Sequence, residues 1–308
     1  VGAVSAAAVG AGQAVSAVTT TVPAAVPTTA KPSVTSSTRP VTTTTLFQAG
    51  SISKPVAAYT ALKLVEEGRR GSDQVVVSIF VNPLQFGPKE DLARYPRPFE
   101  RDCELCARAG VDVVFAPEVS GFYSPDHATY CDVEGLDKHL CGASRPGHFR
   151  GVCTVVLKLF NLVQPHQAWF GKKDIQQALI LKKMVSDLSL DLEIVLVDTV
   201  REPSGLAMSS RNAYLSEDER ARAASLYRGL SKALGIYQSG EHNAETLKSV
   251  IRNEIEQQTR IDYIEIVSQS RLEPIAVVDQ PAVMALAVYY GNTRLIDNAI
   301  ISFPRASA

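Results

Sequence analysis

From Gln74 onward, short apolar runs alternate with amphipathic stretches, and that alternation restricts the chain to βαβ units around a mostly parallel sheet. The first run, Val75 to Val81, is rich in β-branched residues and suits a strand buried on both faces. The pattern then predicts a helix over Pro98 to Ala109, a strand over Val111 to Ala116, a helix over Thr154 to Val163 and a short strand over Ala168 to Phe170. A helix from Asp174 to Leu188 and a strand from Glu193 to Val197 complete this part. Past Val200 the character changes. Ser216-Glu-Asp-Glu219 is a capping box that opens a long helix to about Tyr237, and Asn243 caps another to about Gln257. Strands are expected at Asp262 to Val267 and Val283 to Val288. The domain boundary is placed near 198–202, giving an α/β domain over 46–199 and a smaller α+β domain over 200–302.

Composition supports a core and excludes several classes. The 308 residues are 45% hydrophobic, enough for two domains. Thirty-one Lys and Arg against 32 Asp and Glu leave a formal charge of -1, so no overall basic field argues for nucleic acid. No apolar run of about 18 residues argues for a membrane span. The five cysteines, Cys103, Cys106, Cys131, Cys141 and Cys153, are odd in number and scattered, which favours a reducing, cytoplasmic setting over a disulfide framework. Cys103 and Cys106 form a C-x-x-C inside an expected helix, with no second pair at zinc-site spacing.

Residues 1–45 are almost wholly Ala, Val, Thr, Ser, Pro and Gly, charged only at Lys31 and Arg39, and are expected to be disordered. With no acid before Glu66, this segment loosely resembles an organellar transit peptide, and a fragmentary or translated non-coding start fits equally.

Four polar segments stand beside the apolar runs. Residues 142–151, Gly-Ala-Ser-Arg-Pro-Gly-His-Phe-Arg-Gly, read as a loop suited to an anionic ligand. Asn82 and Gln85, in Val-Asn-Pro-Leu-Gln-Phe-Gly-Pro, follow a parallel strand, where open α/β sheets bind ligands; solvated amides on a turn are the plainer reading. Lys173 and Asp174, in Gly-Lys-Lys-Asp-Ile-Gln-Gln, sit at an expected helix start that favours phosphate, although solvated charges are usual there. Met208-Ser-Ser-Arg211 joins two hydroxyls to a permanent cation, suited to phosphate or to a polar domain linker.

In order and spacing these segments resemble the pantothenate synthetase family over about Gln74 to Ile301. The resemblance implies a Rossmann-like nucleotidyl-transferase domain and a ligase reaction: ATP, with Mg²⁺, activates pantoate as pantoyl-adenylate, which β-alanine then attacks. It assigns Asn82, Gln85 and Gln177 to pantoate. It assigns Gly171, Lys173, Asp174, Val200, Met208, Ser209 and Arg211 to ATP, with Lys173, Ser209 and Arg211 as the catalytic set. Arg145 and His148 are implied at the border of the substrate site or as braces of their loop. No metal ligand is assigned, and a homodimer is left open.

The same family carries Thr-Met-Gly-x-Leu-His-x-Gly-His ahead of the first strand named above, where the histidines stabilise charge building on the phosphates. Here the five histidines are His127, His139, His148, His166 and His242, all behind that strand. In that place Leu46 to Arg69 resembles the Ser-x-x-Lys helix of serine β-lactamases and penicillin-binding proteins, with Ser51 as nucleophile and Lys54 beside it. No Lys-Thr-Gly strand follows, so this fragment reads as a graft. Three readings therefore stand: a ligase impaired in adenylation, a silent pantoate- or nucleotide-binding homologue, and a Ser-Lys hydrolase.

Overall fold

In the structure, a computed structural model, residues 74–88, 90–255 and 259–302 are described in full and strands 17–21 and 45–48 by their backbone. In chain order, leaving aside the single helical turn Val119–Phe122 and the 3-10 segments, the strands and helices of the first part are β1 (Ala17–Thr21), β2 (Thr45–Gln48), β3 (Gln74–Ser78), α1 (Phe99–Arg108), β4 (Val113–Pro117), α2 (Leu140–Ser144), α3 (His148–Val163), β5 (Gln167–Gly171), α4 (Ile175–Asp187) and β6 (Glu193–Val197).

The six strands form one sheet in the order β1-β4-β3-β2-β5-β6. All neighbours are parallel except β1, which runs antiparallel along β4 from Ala17 opposite Pro117 to Thr21 opposite Val113. The parallel part reverses direction at β2, whose neighbours β3 and β5 lead away to opposite edges. Ligands of such sheets bind beyond the carboxyl ends of the strands at that switch point. Gln85 follows β3, and Lys173 and Gln177 follow β5, so topology brings them to one place.

Both faces of the sheet are covered. On one side α3 and α4 bury Val152, Val156, Leu159, Ile180, Leu181 and Met184, among others. On the other, Val75, Val77, Val114 and Trp169 meet Cys106 of α1. Val75, Val76 and Val77 are all at most 2% exposed, as a doubly covered strand requires.

The second part carries α5 (Glu217–Ala223), α6 (Ser225–Gln238) and α7 (Ala244–Glu254) against the antiparallel sheet β7 (Arg260–Ser268), β8 (Ala282–Tyr290) and β9 (Thr293–Ile301). Its helices and strands enclose a core that includes Leu226, Leu230, Leu247, Ile251, Met284 and Leu286. Val267, Leu272, Val283 and Ala285 instead join the core of the first part, so the sheet is packed on both sides and seats against the α/β layer.

Several expectations need correction. The strand begun at Val75 leaves the sheet after Ser78, because the chain turns into a 3-10 segment at Pro83–Gln85 capped by the Asn82 side chain. The stretch 142–151 is not a loop: α2 covers its start, and α3 begins at His148, six residues ahead of the expected Thr154. Its glycines serve packing and turning. A Cβ on Gly151 would lie 2.3 Å from the Leu84 carbonyl oxygen, and Gly147 holds φ at +79°. The single helix expected from Ser216 to Tyr237 is broken at Ala224, where Ser225 turns its hydroxyl inward to Tyr290, 2.8 Å away. The helix capped by Asn243 ends at Glu254. Within residues 1–45, expected to lack structure, the Val-Thr segment of β1 fills the sheet edge beside β4, as β-branched residues favour.

Candidate active site

A cavity of about 820 Å³ opens between the carboxyl edge of the parallel sheet and β7 to β9. Gln85, Gln177, Lys173, Asp174, Ser209, Arg211, Arg145 and His148 all line it. Segments expected to act together thus meet in one space, although they are separated by more than a hundred residues of chain.

Asn82 lies behind this wall. Its amide nitrogen donates to the Gln85 side-chain oxygen (3.2 Å) and to the Gly151 carbonyl (3.0 Å). Its oxygen accepts from the Leu84 N–H and the Tyr123 hydroxyl. Every hydrogen-bonding position of that amide is therefore filled, and Asn82 orients Gln85. The consequence for Gln85 is direct. With its oxygen held by Asn82, its Nε2 points elsewhere and is a buried donor with no acceptor among the described residues. Gln177 is likewise buried, and its side chain makes no hydrogen bond among the described residues.

Arg145 and His148 clamp the backbone of Gln85. Arg145 pairs with Glu90 through Nε–Oε1 at 2.6 Å and Nη2–Oε2 at 2.5 Å, while Nη2 also donates to the Gln85 carbonyl at 3.3 Å. A guanidinium only donates, so the His148 Nε2 standing 3.0 Å from Arg145 Nη1 must accept. Nδ1 then carries the proton and donates to the Gln85 carbonyl at 2.8 Å. Burial, with the Arg145 charge added, pushes the imidazole down to about 4 and keeps it neutral. Burial alone would raise the Glu90 carboxyl, yet the Arg145 hydrogen bonds and charge hold it below its ordinary value.

On the opposite wall, Ser209 caps a 3-10 turn by accepting from the Arg211 N–H, and Arg211 pairs with Asp91. Burial opposes charge on Arg211, but the Asp91 carboxylate outweighs it and strengthens the cation. Lys173 and Asp174 have no hydrogen-bonded side-chain partner among the described residues and stay available to a ligand. Gly171, Val200 and Met208 do not line the cavity. Val200 and Met208 instead close a hairpin, the Met208 N–H donating to the Val200 carbonyl at 2.9 Å. Ser51 and Lys54 lie outside the described residues.

Sequence reasoning missed Glu90, Asp91 and Asn298. The two acids sit in a charged, irregular segment that reads as a solvated surface, and their arginine partners are 55 and 120 residues away. No group of three or more metal-ligating side chains occurs among the described residues. No helix among them is long and apolar enough to cross a membrane.

A nucleotide-sized cavity at the switch point of a parallel sheet, lined by lysine, arginine, serine and glutamine side chains, has the form of a ligand site in an α/β enzyme. Comparison with known proteins makes this specific. Residues 60–300 match the family described as pantoate-beta-alanine ligase. The pantothenate synthetases of Thermotoga petrophila and Moorella thermoacetica are each 53% identical over 242 residues, 78% of this chain and 86% of theirs. A crystal structure of the Thermus thermophilus pantothenate synthetase superposes with a TM-score of 0.76 at 43% identity, covering 83% of this chain and 91% of that one. The pantoate-beta-alanine ligase of Francisella tularensis, solved with beta-gamma ATP and beta-alanine, gives 0.66 at 30% identity, covering 83% and 89%. The chain belongs to the pantoate-beta-alanine ligase family and is a ligase with a nucleotidyl-transferase fold. A second match, to the family described as Beta-lactamase, covers residues 4–104 and overlaps the first from 60.

Proposed function

We propose that this chain binds ATP and pantoate in the cavity between the two sheets and forms pantothenate by way of pantoyl-adenylate, with the adenylation step impaired. The observation that carries the binding half is the Gln85 amide: its oxygen is held by Asn82, and its buried Nε2 lacks any acceptor among the described residues. A hydroxy-acid placed there supplies one. Lys173, Ser209 and Arg211 take the phosphates and Asp174 the ribose hydroxyls. The pantoate carboxylate attacks the α-phosphorus and pyrophosphate leaves; the β-alanine amine then attacks the acyl carbon and AMP leaves. Here the side chains orient the reactants and offset charge, and no covalent enzyme intermediate is required.

Mg²⁺ fits this reading. It keeps several waters and binds through phosphate oxygens plus one or two carboxylates, and Asp91 beside Arg211 and Asp174 beside Lys173 are carboxylates lining the cavity that would serve. It would neutralise phosphate charge during displacement. The five unpaired cysteines accord with a cytoplasmic, reducing setting.

Impairment follows from the sequence before β3, which holds no histidine. Losing a preorganised donor to a transition-state phosphate costs on the order of a hundredfold to a thousandfold in rate. The test is AMP formation dependent on both pantoate and β-alanine. Turnover of roughly 1 per second or more would overturn the impairment. Silence rescued by grafting a Met-Gly-x-Leu-His-x-Gly-His segment ahead of Val75 would support it. If the graft leaves a folded protein that binds pantoate and ATP but stays silent, the chain is a binding homologue.

The Beta-lactamase match over residues 4–104 favours one further reading, acylation of Ser51 with Lys54 assisting. Incubation with a fluorescent penicillin tests it: labelling abolished by Ser51→Ala is required, and an unlabelled chain removes the hydrolase reading.

A further inference from the structure

Lys173 stands on a short 3-10 turn, Lys172–Asp174, that has no side-chain cap of its own. What fixes the turn comes from the other part of the molecule. Asn298 of β9 donates its Nδ2 to the Lys172 carbonyl at 2.9 Å and to the Lys173 carbonyl at 2.8 Å. Carbonyls cannot donate, so the orientation of the amide is forced and both of its hydrogens are used. Asn298 is only 8% exposed, and β9 runs antiparallel to β8 over nine paired residues, so the amide sits on a rigid support.

The neighbouring residue does the same for a second lining segment. Asp297, 2% exposed, accepts from Arg201 Nη1 at 2.6 Å and Nη2 at 3.0 Å, and also from the Asn298 N–H at 2.8 Å. Arg201 in turn bridges to Ala207 and donates to the Gly205 carbonyl, closing the hairpin that delivers Ser209 and Arg211. Two consecutive residues of one strand therefore hold the two backbone segments that carry Lys173 and the Ser209–Arg211 turn.

We propose that Asn298 is a positioning residue that sets Lys173 against the Ser209–Arg211 turn, with Asp297 fixing the other half of the same grip. The inference rests on the reading above, in which Lys173 meets the phosphates of ATP. Asn298 itself touches no reacting atom; it acts through the backbone of Lys172 and Lys173.

The test is equilibrium binding of ATP and of adenosine by the full chain, comparing wild type with Asn298→Leu, a neutral change of similar size, and with Asn298→Ala. Thermal melting shows which variants remain folded, and either folded variant suffices. Weakening of ATP by roughly tenfold with a clearly smaller loss for adenosine is expected, because the phosphate contact depends on where Lys173 stands whereas adenosine meets the same turn only through Asp174. In a Lys173→Ala background the Asn298 substitution should then have no further effect. Three outcomes overturn the inference: unchanged ATP affinity in a folded variant, equal weakening of ATP and adenosine, or a full effect that persists without Lys173. Failure of both variants to fold also overturns it, since Asn298 is then a stability residue. Wild-type protein that binds neither ATP nor adenosine would instead sink the proposed ATP site on which this inference stands.

Discussion

The guanidinium of Arg211 lies along the carboxylate of Asp91, with Nη2 2.8 Å from Oδ1 and Nε 3.1 Å from Oδ2. The charge of this cavity-lining arginine is thus offset before any ligand arrives, and the pair is partly buried, with side-chain exposures of 31% and 15%. Asp91→Asn leaves Arg211 in place with its charge uncompensated. ATP measured in EDTA should bind several-fold tighter, a gain of about 1 kcal/mol, while the fold becomes slightly less stable. Weaker binding would show that Asp91 matters chiefly for aiming the guanidinium.

The buried neutral His148 predicts an acid-sensitive fold. Its folded value of about 4 lies below the ordinary 6.5, so between these the unfolded chain binds more protons and stability falls as pH falls. The contribution is full above about 6.5 and is lost on the way to 4, amounting to about 3 kcal/mol. Urea unfolding of His148→Gln, which can keep both hydrogen bonds, should be flatter than wild type between pH 6.5 and 4.5. Parallel curves would refute the assignment. Glu90 and Asp91, held low by their arginines, add their own loss only at still lower pH.

Gly151 admits no side chain. A methyl there would meet the Leu84 carbonyl oxygen at 2.3 Å and the Gln85 nitrogen at 2.7 Å, both backbone atoms that cannot step aside. Gly151→Ala should cost about 1–3 kcal/mol of stability and displace Gln85, weakening pantoate more than ATP. Isothermal titration with each ligand separates these effects. Equal loss of both would mean that the damage is global.

Breaking the Arg201–Asp297 pair from one side should be costly, because Asp297 is almost wholly buried. Arg201→Met is expected to lose about 3–5 kcal/mol in urea unfolding. Adding Asp297→Leu removes the stranded charge and should recover part of that loss. No recovery would indicate that the Asn298 N–H, left without its acceptor, dominates.

Some of this molecule was decided locally and is legible in the chain. The β-branched run at Val75, the helix begun near Pro98, the strand Glu193–Val197 and the capping box at Ser216 each follow from residues close in sequence, and each is found within a few positions of its expectation. The cavity residues Gln85, Gln177, Lys173, Ser209 and Arg211 were readable because they sit in short motifs next to strand ends. What the chain could not display are partners set by folding. Gly151 read as part of a loop because its use, close approach to the Leu84 carbonyl, depends on a segment more than sixty residues away. The four bonds of Asn82 to Leu84, Gln85, Tyr123 and Gly151 likewise exist only once α3 has docked against the turn after β3. Local propensity fixes elements and motif positions; which amide is spent on the fold, and which is left for a ligand, is settled by long-range packing alone.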